Sequence, residues 1–197
     1  MNVTELKELH PKRFEEEYAE WCAYAADDDW WEYVQDWFKE RHAQQGVTVH
    51  SIQFSLYGQG LGAAFNGSVA VTQFMEHAGL HEKYLPLYMA CKDDGSYCRV
   101  RAARNCSNIS VYFAGAPGDT APSGVFADLD ADAWAELVSQ QFDESELEDA
   151  VKEFCRDICH ELHTDLEKEY DHITSEEAFI ESCEANEVTF EIETEEN

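Results

Sequence analysis

Negative charge is concentrated at the two ends of this chain, and it limits the compact arrangements open to it. From Phe126 to Asn197, 25 Asp and Glu side chains face three bases, Lys152, Arg156 and Lys168. From Met1 to Gln45, 12 acids face five bases. The stretch between them, Gly46 to Val125, is neutral, with five acids and five bases. The formal net charge over 197 residues is −29. A compact body so charged repels itself, so it must be held together by a substantial apolar core. Hydrophobic residues make up 44% of the chain and aromatics 13%, enough to build such a core and too much for a disordered acidic tail. Such a field can repel nucleic acid, hold cations, or occupy a basic groove on another protein.

Several classes are disfavoured at once. Glu outnumbers Asp by 27 to 15, aromatics are abundant and the middle is neutral, whereas a general salt adaptation would coat the whole surface. No run of about 18 apolar residues occurs, so no membrane span is expected. Residues 1–20 are polar and acidic, so neither a signal peptide nor a transit peptide is expected. The charge also disfavours direct binding of DNA or anionic lipid. The cysteine count is seven, an odd number, which points to reduced thiols in a cytosol.

Pro11 opens a predicted helix with Phe14, Tyr18, Trp21, Cys22 and Ala25 at three- and four-residue steps. Asp27, Asp28 and Asp29 break it and cap a second helix that carries Trp30, Val34, Trp37, Phe38 and Arg41 and ends at Gly46. The two read as an antiparallel hairpin. Val47, Val49, Ile52 and Phe54 lie in a β-rich run, and Gly58, Gly60 and Gly62 supply a turn. Ala63, Phe65, Gly67, Val69 and Val71 then alternate as a strand with one buried face. A helical stretch from Thr72 to about Met89 is interrupted near Gly79 and Pro86. Two short strands follow at about 96–102 and 107–114, the second with Ile109, Val111 and Phe113 on one face.

Residues 115–124 read as a flexible connection, and 130–139 as a short helix. A long helix from Glu144 to about Tyr170 has Leu147, Val151, Phe154, Ile158, Leu162 and Leu166 as its inner stripe. Ser175 caps another helix, and Val188, Phe190 and Ile192 alternate as a final strand. The predicted class is α+β, with a mainly antiparallel sheet of four to five strands, packed helices and a long acidic C-terminal helix. Residues 1–197 are expected to form a single domain, made of a helical hairpin at 11–45, a sheet region at 46–114 and an acidic helical part at 125–197.

The long helix places an acid at every fourth residue: Asp149, Glu153, Asp157, Glu161, Asp165 and Glu169. A four-residue step rises about 6 Å. Successive phosphates on one DNA strand are roughly 6–7 Å apart. Because i,i+4 acid pairs destabilise a helix, six in succession are more than an ordinary solvated face requires. Cys155, Cys159 and His163 can share a helix face, but tetrahedral zinc needs a fourth ligand, and neither C-x-x-C nor H-E-x-x-H occurs. Cysteine also serves as a small core residue. The acid run from Asp128 fails as a calcium loop, since Ala133 stands at its sixth position and Ser139 at its twelfth. No catalytic spacing links the cysteines and histidines, so no metal, no cofactor and no enzymatic activity is expected. Lys83, Lys92, Arg99, Arg101 and Arg104 are expected to pair within the chain with its acidic ends.

The segment Ile52 to Phe65, with Phe54-Ser55, Gln59-Gly60-Leu61-Gly62-Ala63 and Phe65, resembles a hairpin in a family of uncharacterised bacteriophage proteins. In that family an aromatic-Ser pair precedes Gln-Gly-Asp-Gly-Ala and a Phe. The stretch Leu162 to Phe190, with Leu166-Glu167-Lys168-Glu169-Tyr170 and Asn186-Glu187-Val188-Thr189-Phe190, resembles the end of the same family. The resemblance implies a phage or prophage protein made in a bacterial cytoplasm, and it implies no particular activity. Leu61 stands where the family has Asp, so a function resting on that Asp would be lost here.

The reading favoured by the charge pattern is a non-enzymatic, phage-encoded inhibitor of a host defence system, such as a restriction or CRISPR complex. It would act as a nucleic-acid mimic in a basic DNA- or RNA-binding groove, and a second copy of the chain is a further partner left open. The expected contacts are Asp149, Glu153, Asp157, Glu161, Asp165 and Glu169, with Asp27, Asp28 and Asp29 as a second patch and Trp30, Trp31, Trp37 or Trp134 as anchors. The alternatives are an antitoxin-like or host-takeover interaction factor that binds through its glycine-rich hairpin, and a Cys/His metal protein or enzyme.

Overall fold

The computed structural model describes residues 1–58, 61–94, 97–102, 108–113 and 144–191, together with positions 132, 135, 136 and 139. In chain order its elements are α1 (Val3–Leu9), α2 (Pro11–Asp27), α3 (Trp31–Ala43), β1 (Val47–Ser55), β2 (Gly62–Ala70), α4 (Val71–His77), α5 (Leu85–Asp94), β3 (Tyr97–Ala102), β4 (Ile109–Phe113), α6 (Glu144–Ile173) and α7 (Glu176–Ala185). The fold is α+β, with a four-stranded antiparallel sheet in the order β1-β2-β3-β4 and the long acidic helix α6. The connection at 115–124, most of the helix predicted at 130–139 and most of the acid run from Asp128 lie outside the described residues.

The chain divides into two compact units, Met1–Val34 with Asp165–Asn197, and Gln35–Thr164. In the first, α1 is an addition to the predicted elements. Seven residues are too few for periodicity to show, but the cap is legible: the Asn2 side chain accepts the Glu5 N–H at 2.8 Å, and the Glu5 carboxylate accepts the Asn2 N–H at 3.1 Å. The core of this unit is Val3, Leu6, Phe14, Phe179 and Cys183. The rings of Phe14, Tyr18 and Trp21 on α2 lie 5.5–5.7 Å from Phe179 on α7. The Tyr18 hydroxyl donates to the Thr174 carbonyl at 2.7 Å. Ser175 caps α7 as its sequence predicts, accepting the Ala178 N–H at 3.1 Å.

The final strand is not formed over its described part. Glu187, at φ 52°, turns the chain back after α7, and Phe190 exchanges two backbone hydrogen bonds with Met1, at 2.9 and 3.0 Å. One residue pair is too short to make a ladder, so the apolar alternation that suggested a strand instead supplies Phe190 to the core cluster.

In the second unit, β2 buries Ala63, Ala64, Phe65, Gly67 and Val69 and pairs with both β1 and β3. The helix predicted from Thr72 divides where it was expected to, into α4 and α5, with Gly79 at φ 68° between them. Pro86 sits in the first turn of α5, where its missing N–H costs little. Gly67 has a positional role. It pairs with Val49 beside an irregularity in β1 between Val49 and Ser51, and a Cβ there would meet the Thr48 carbonyl oxygen at 2.0 Å. Phe38 of α3 packs against Phe65 of β2 with ring centroids 6.2 Å apart, and Phe74 of α4 against Phe154 of α6 at 5.4 Å.

Candidate functional site

Helix α6 carries two opposed faces. Leu147, Val151, Cys155, Ile158, Cys159, Leu162 and Leu166 are buried. The two cysteines continue the four-residue step of Leu147 and Val151, while Phe154, predicted in this stripe, lies half-buried at its flank against Phe74 and His77. Burying each large aliphatic contributes about 1.5–3 kcal/mol. Each i,i+4 acid pair costs only about 0.2–0.5 kcal/mol. The apolar stripe therefore decides that the helix forms, and the acids are free to serve another purpose.

Asp149, Glu153, Asp157 and Glu161 are all exposed. They span 12 residues, about 18 Å along the axis. The row turns about 40° per step, because four residues advance 400° on a helix of 3.6 residues per turn. That drift carries it from the face opposite the apolar stripe toward its flank. Asp165 and Glu169, in the first unit, are half-buried, so the exposed run ends at Glu161.

The ends of the run are in exposed ion pairs. Lys152 Nζ lies 2.7 Å from Glu148 and 3.3 Å from Asp149, whose side chain is 75% exposed. Arg41 Nη2 lies 3.0 Å from Glu161 Oε2. Arg41 also covers the Trp37 ring, 5.0 Å from its centroid, and Trp37 is 43% exposed. Among the described residues, Glu153 and Asp157 hold no cation. Exposed pairs contribute about 0–1 kcal/mol, so an incoming cation can replace those at either end of the run. Asp27, Asp28 and Asp29 are exposed where α2 ends, with the Asp28 carboxylate accepting the Asp29 N–H at 2.9 Å. Trp30 and Trp31 are half-buried, Trp30 meeting Tyr170 edge-on with ring centroids 5.6 Å apart, and Trp134 lies outside the described residues.

The thiols are core residues. Burial pushes the Cys98 thiol up to about 12, and burial, with Cys98 as a neighbour, raises Cys155 as well. Both stay protonated near neutral pH, which makes them poor nucleophiles. Among the described residues no group of three or more His, Cys, Asp or Glu side chains is placed to hold a metal ion. The Cys98 shift has a measurable consequence. The folded state holds that proton more tightly than the unfolded chain, whose thiol ionises near 9.0. Stability is therefore complete below pH 9.0 and falls as pH rises toward about 12. The expected slope is up to about 1.4 kcal/mol per pH unit. Urea denaturation of the reduced protein at stepped alkaline pH should show it, and Cys98→Val should lessen the slope by that thiol's share while Cys155 keeps its own.

The bases of the neutral middle divide. Lys83 Nζ donates to the Glu146 carboxylate at 2.6 and 2.8 Å, as its sequence predicts, and the bond to Glu146 raises the pKa of Lys83. Lys92 covers the Tyr88 ring, 5.4 Å from its centroid. Arg99 and Arg101 do otherwise. They are exposed on the outer face of β3 and line a cavity of about 690 Å³ with His50, Asn66 and Ser68. The expectation of internal pairing fails for both: among the described residues no carboxylate lies within ion-pair distance of either guanidinium. The only sequence signal was the alternation of Arg99 and Arg101 with buried Cys98 and Val100.

A long helix with an exposed row of acids and a four-stranded antiparallel sheet with two exposed arginines make this an α+β protein. Residues 30–176 match the family described as domain of unknown function DUF8835, and the chain belongs to that family. No curated protein and no solved structure matches it. Among the described residues no helix is long and apolar enough to cross a membrane.

Proposed function

We propose that this protein is a non-enzymatic, phage-encoded inhibitor that presents carboxylates in place of phosphates to a basic DNA- or RNA-binding groove of a host defence protein in the bacterial cytoplasm. The observation that carries the reading is the run Asp149, Glu153, Asp157 and Glu161, all exposed on one helix, with its two central members holding no cation among the described residues. A step of about 6 Å matches the phosphate repeat over three intervals. Trp37, beside Arg41 at the Glu161 end, supplies an aromatic anchor of the kind that dominates protein interfaces. The test is displacement: duplex DNA must release the basic protein that this chain retains.

A second reading draws on the β1–β2 hairpin, where Tyr57 is 64% exposed and Leu61 49% exposed. A host factor held by those side chains would stay bound at high salt, whereas a partner held by the acid run would not.

A further inference from the structure

We infer that the outer face of the sheet, centred on Arg99 and Arg101, binds a small molecule bearing two phosphoryl groups. Arg99 pairs in register with Ser68 and Arg101 with Asn66, so each guanidinium stands beside a neutral hydrogen-bonding side chain on β2. The two arginines are two residues apart on one strand, which puts them on the same face about 7 Å from each other. That separation suits two linked phosphoryl groups, each gripped by one planar fork. His50, at the irregularity of β1 between Val49 and Ser51, adds a third polar group at the rim. The Asn66 amide nitrogen donates to Ser51 Oγ at 3.1 Å, which fixes the amide where it lines the cavity. The volume of about 690 Å³ is larger than a lone phosphate needs and lies within the range of small-molecule sites.

Charge supplies the second argument. Lys7, Arg13, Lys39, Arg41, Lys83 and Lys152 each hold a carboxylate of this chain. Arg99 and Arg101 hold none among the described residues, in a chain with 42 acids; Lys12, Lys92, Arg156 and Lys168 hold none either, but no two of those stand together on one strand face as the two arginines do. With a net charge of −29, the long-range field repels anions, so attraction to this face must come from local geometry.

The experiment is a calorimetric titration of the full chain, at physiological salt, with inorganic pyrophosphate, ADP and malonate. Saturable binding of pyrophosphate or ADP is expected, weakened at least tenfold in Arg99→Gln/Arg101→Gln and clearly weakened in the charge-preserving Arg99→Lys/Arg101→Lys. Tighter binding of ADP than of pyrophosphate means that the organic part also enters the cavity. Circular dichroism checks the fold of each variant. Should the glutamine pair unfold the sheet, Asn66→Asp, which sets an acid against Arg101, must give the same loss. No saturable binding of pyrophosphate and ADP by the unaltered chain overturns the proposal. So does binding by the glutamine pair, or by Asn66→Asp, within twofold of it, and so does malonate binding as tightly as pyrophosphate.

Discussion

The triple variant Asp149→Lys, Glu153→Lys, Asp157→Lys loses partner binding by at least about a hundredfold, while its circular dichroism and melting curve stay close to those of the unaltered chain. The size of the loss follows from the electrostatics of a groove that closes over its ligand. Three carboxylates that would each meet a cation become three cations facing cations, and truncating even one desolvated charge partner costs about 2–5 kcal/mol. The fold is spared because all three side chains are exposed and lysine is a good helix former. Only the exposed pair of Asp149 with Lys152 is given up, and such pairs contribute about 0–1 kcal/mol. Total charge cannot account for the loss, because the net charge changes only from −29 to −23. A matched variant, Glu15→Lys, Glu16→Lys, Glu20→Lys, makes the same change at exposed positions of α2 and should bind as the unaltered chain does. Equal binding by both triple variants would mean that position on α6 is irrelevant.

Gly67→Ala should cost substantially more stability than Gly58→Ala. The added Cβ meets the Thr48 carbonyl oxygen at 2.0 Å and the Val49 Cα at 3.3 Å, and both belong to the backbone of β1. Neither can rotate away as a side-chain tip would, so β1 and β2 must part at the irregularity that the pairing of Gly67 with Val49 adjoins. A loss of about 2–4 kcal/mol is expected. Gly58→Ala is the control. Gly58 has φ 80° and no atom within 4 Å of its Cβ position, so only backbone conformation is strained. That costs about 1–2 kcal/mol. Urea denaturation of both variants separates the two effects. A Gly67→Ala protein no less stable than the Gly58→Ala protein would contradict the β1–β2 register.

The elements that the sequence declared most clearly were those whose period belonged to a single face. The stripe Leu147, Val151, Ile158, Leu162 and Leu166 marked α6 to within a few residues, and the alternation of Phe65, Gly67 and Val69 marked β2. Where one pattern suits two structures, periodicity alone does not choose between them. Val71 extended the alternation of β2 but begins α4, and Val188 and Phe190 alternate without a neighbouring strand to pair with. Phe154 and Cys155 exchanged places because either residue type suits a helix interior, and only the packing of Phe74 against Phe154 decides between them. The acid row was legible residue by residue. Its exposed length was not, because the drift of a four-residue step relative to the core shows only once the core's direction is known. The unpaired arginines of β3 were hidden more deeply. Their neutrality within residues 46–125 looked like internal pairing, and only the register with Ser68 and Asn66 shows which neighbours they have.

Competition with duplex DNA separates mimicry from other modes of binding. The chain is immobilised, exposed to lysate of a bacterial host at low salt, and washed; duplex DNA is then added in increasing amounts. The prediction is that one nucleic-acid-binding protein is retained, that DNA elutes it with a midpoint set by that protein's own affinity for DNA, and that the Asp149→Lys, Glu153→Lys, Asp157→Lys variant never retains it. A retained protein that stays on the column at saturating DNA, or a ternary assembly in which it holds both this chain and DNA, would contradict mimicry.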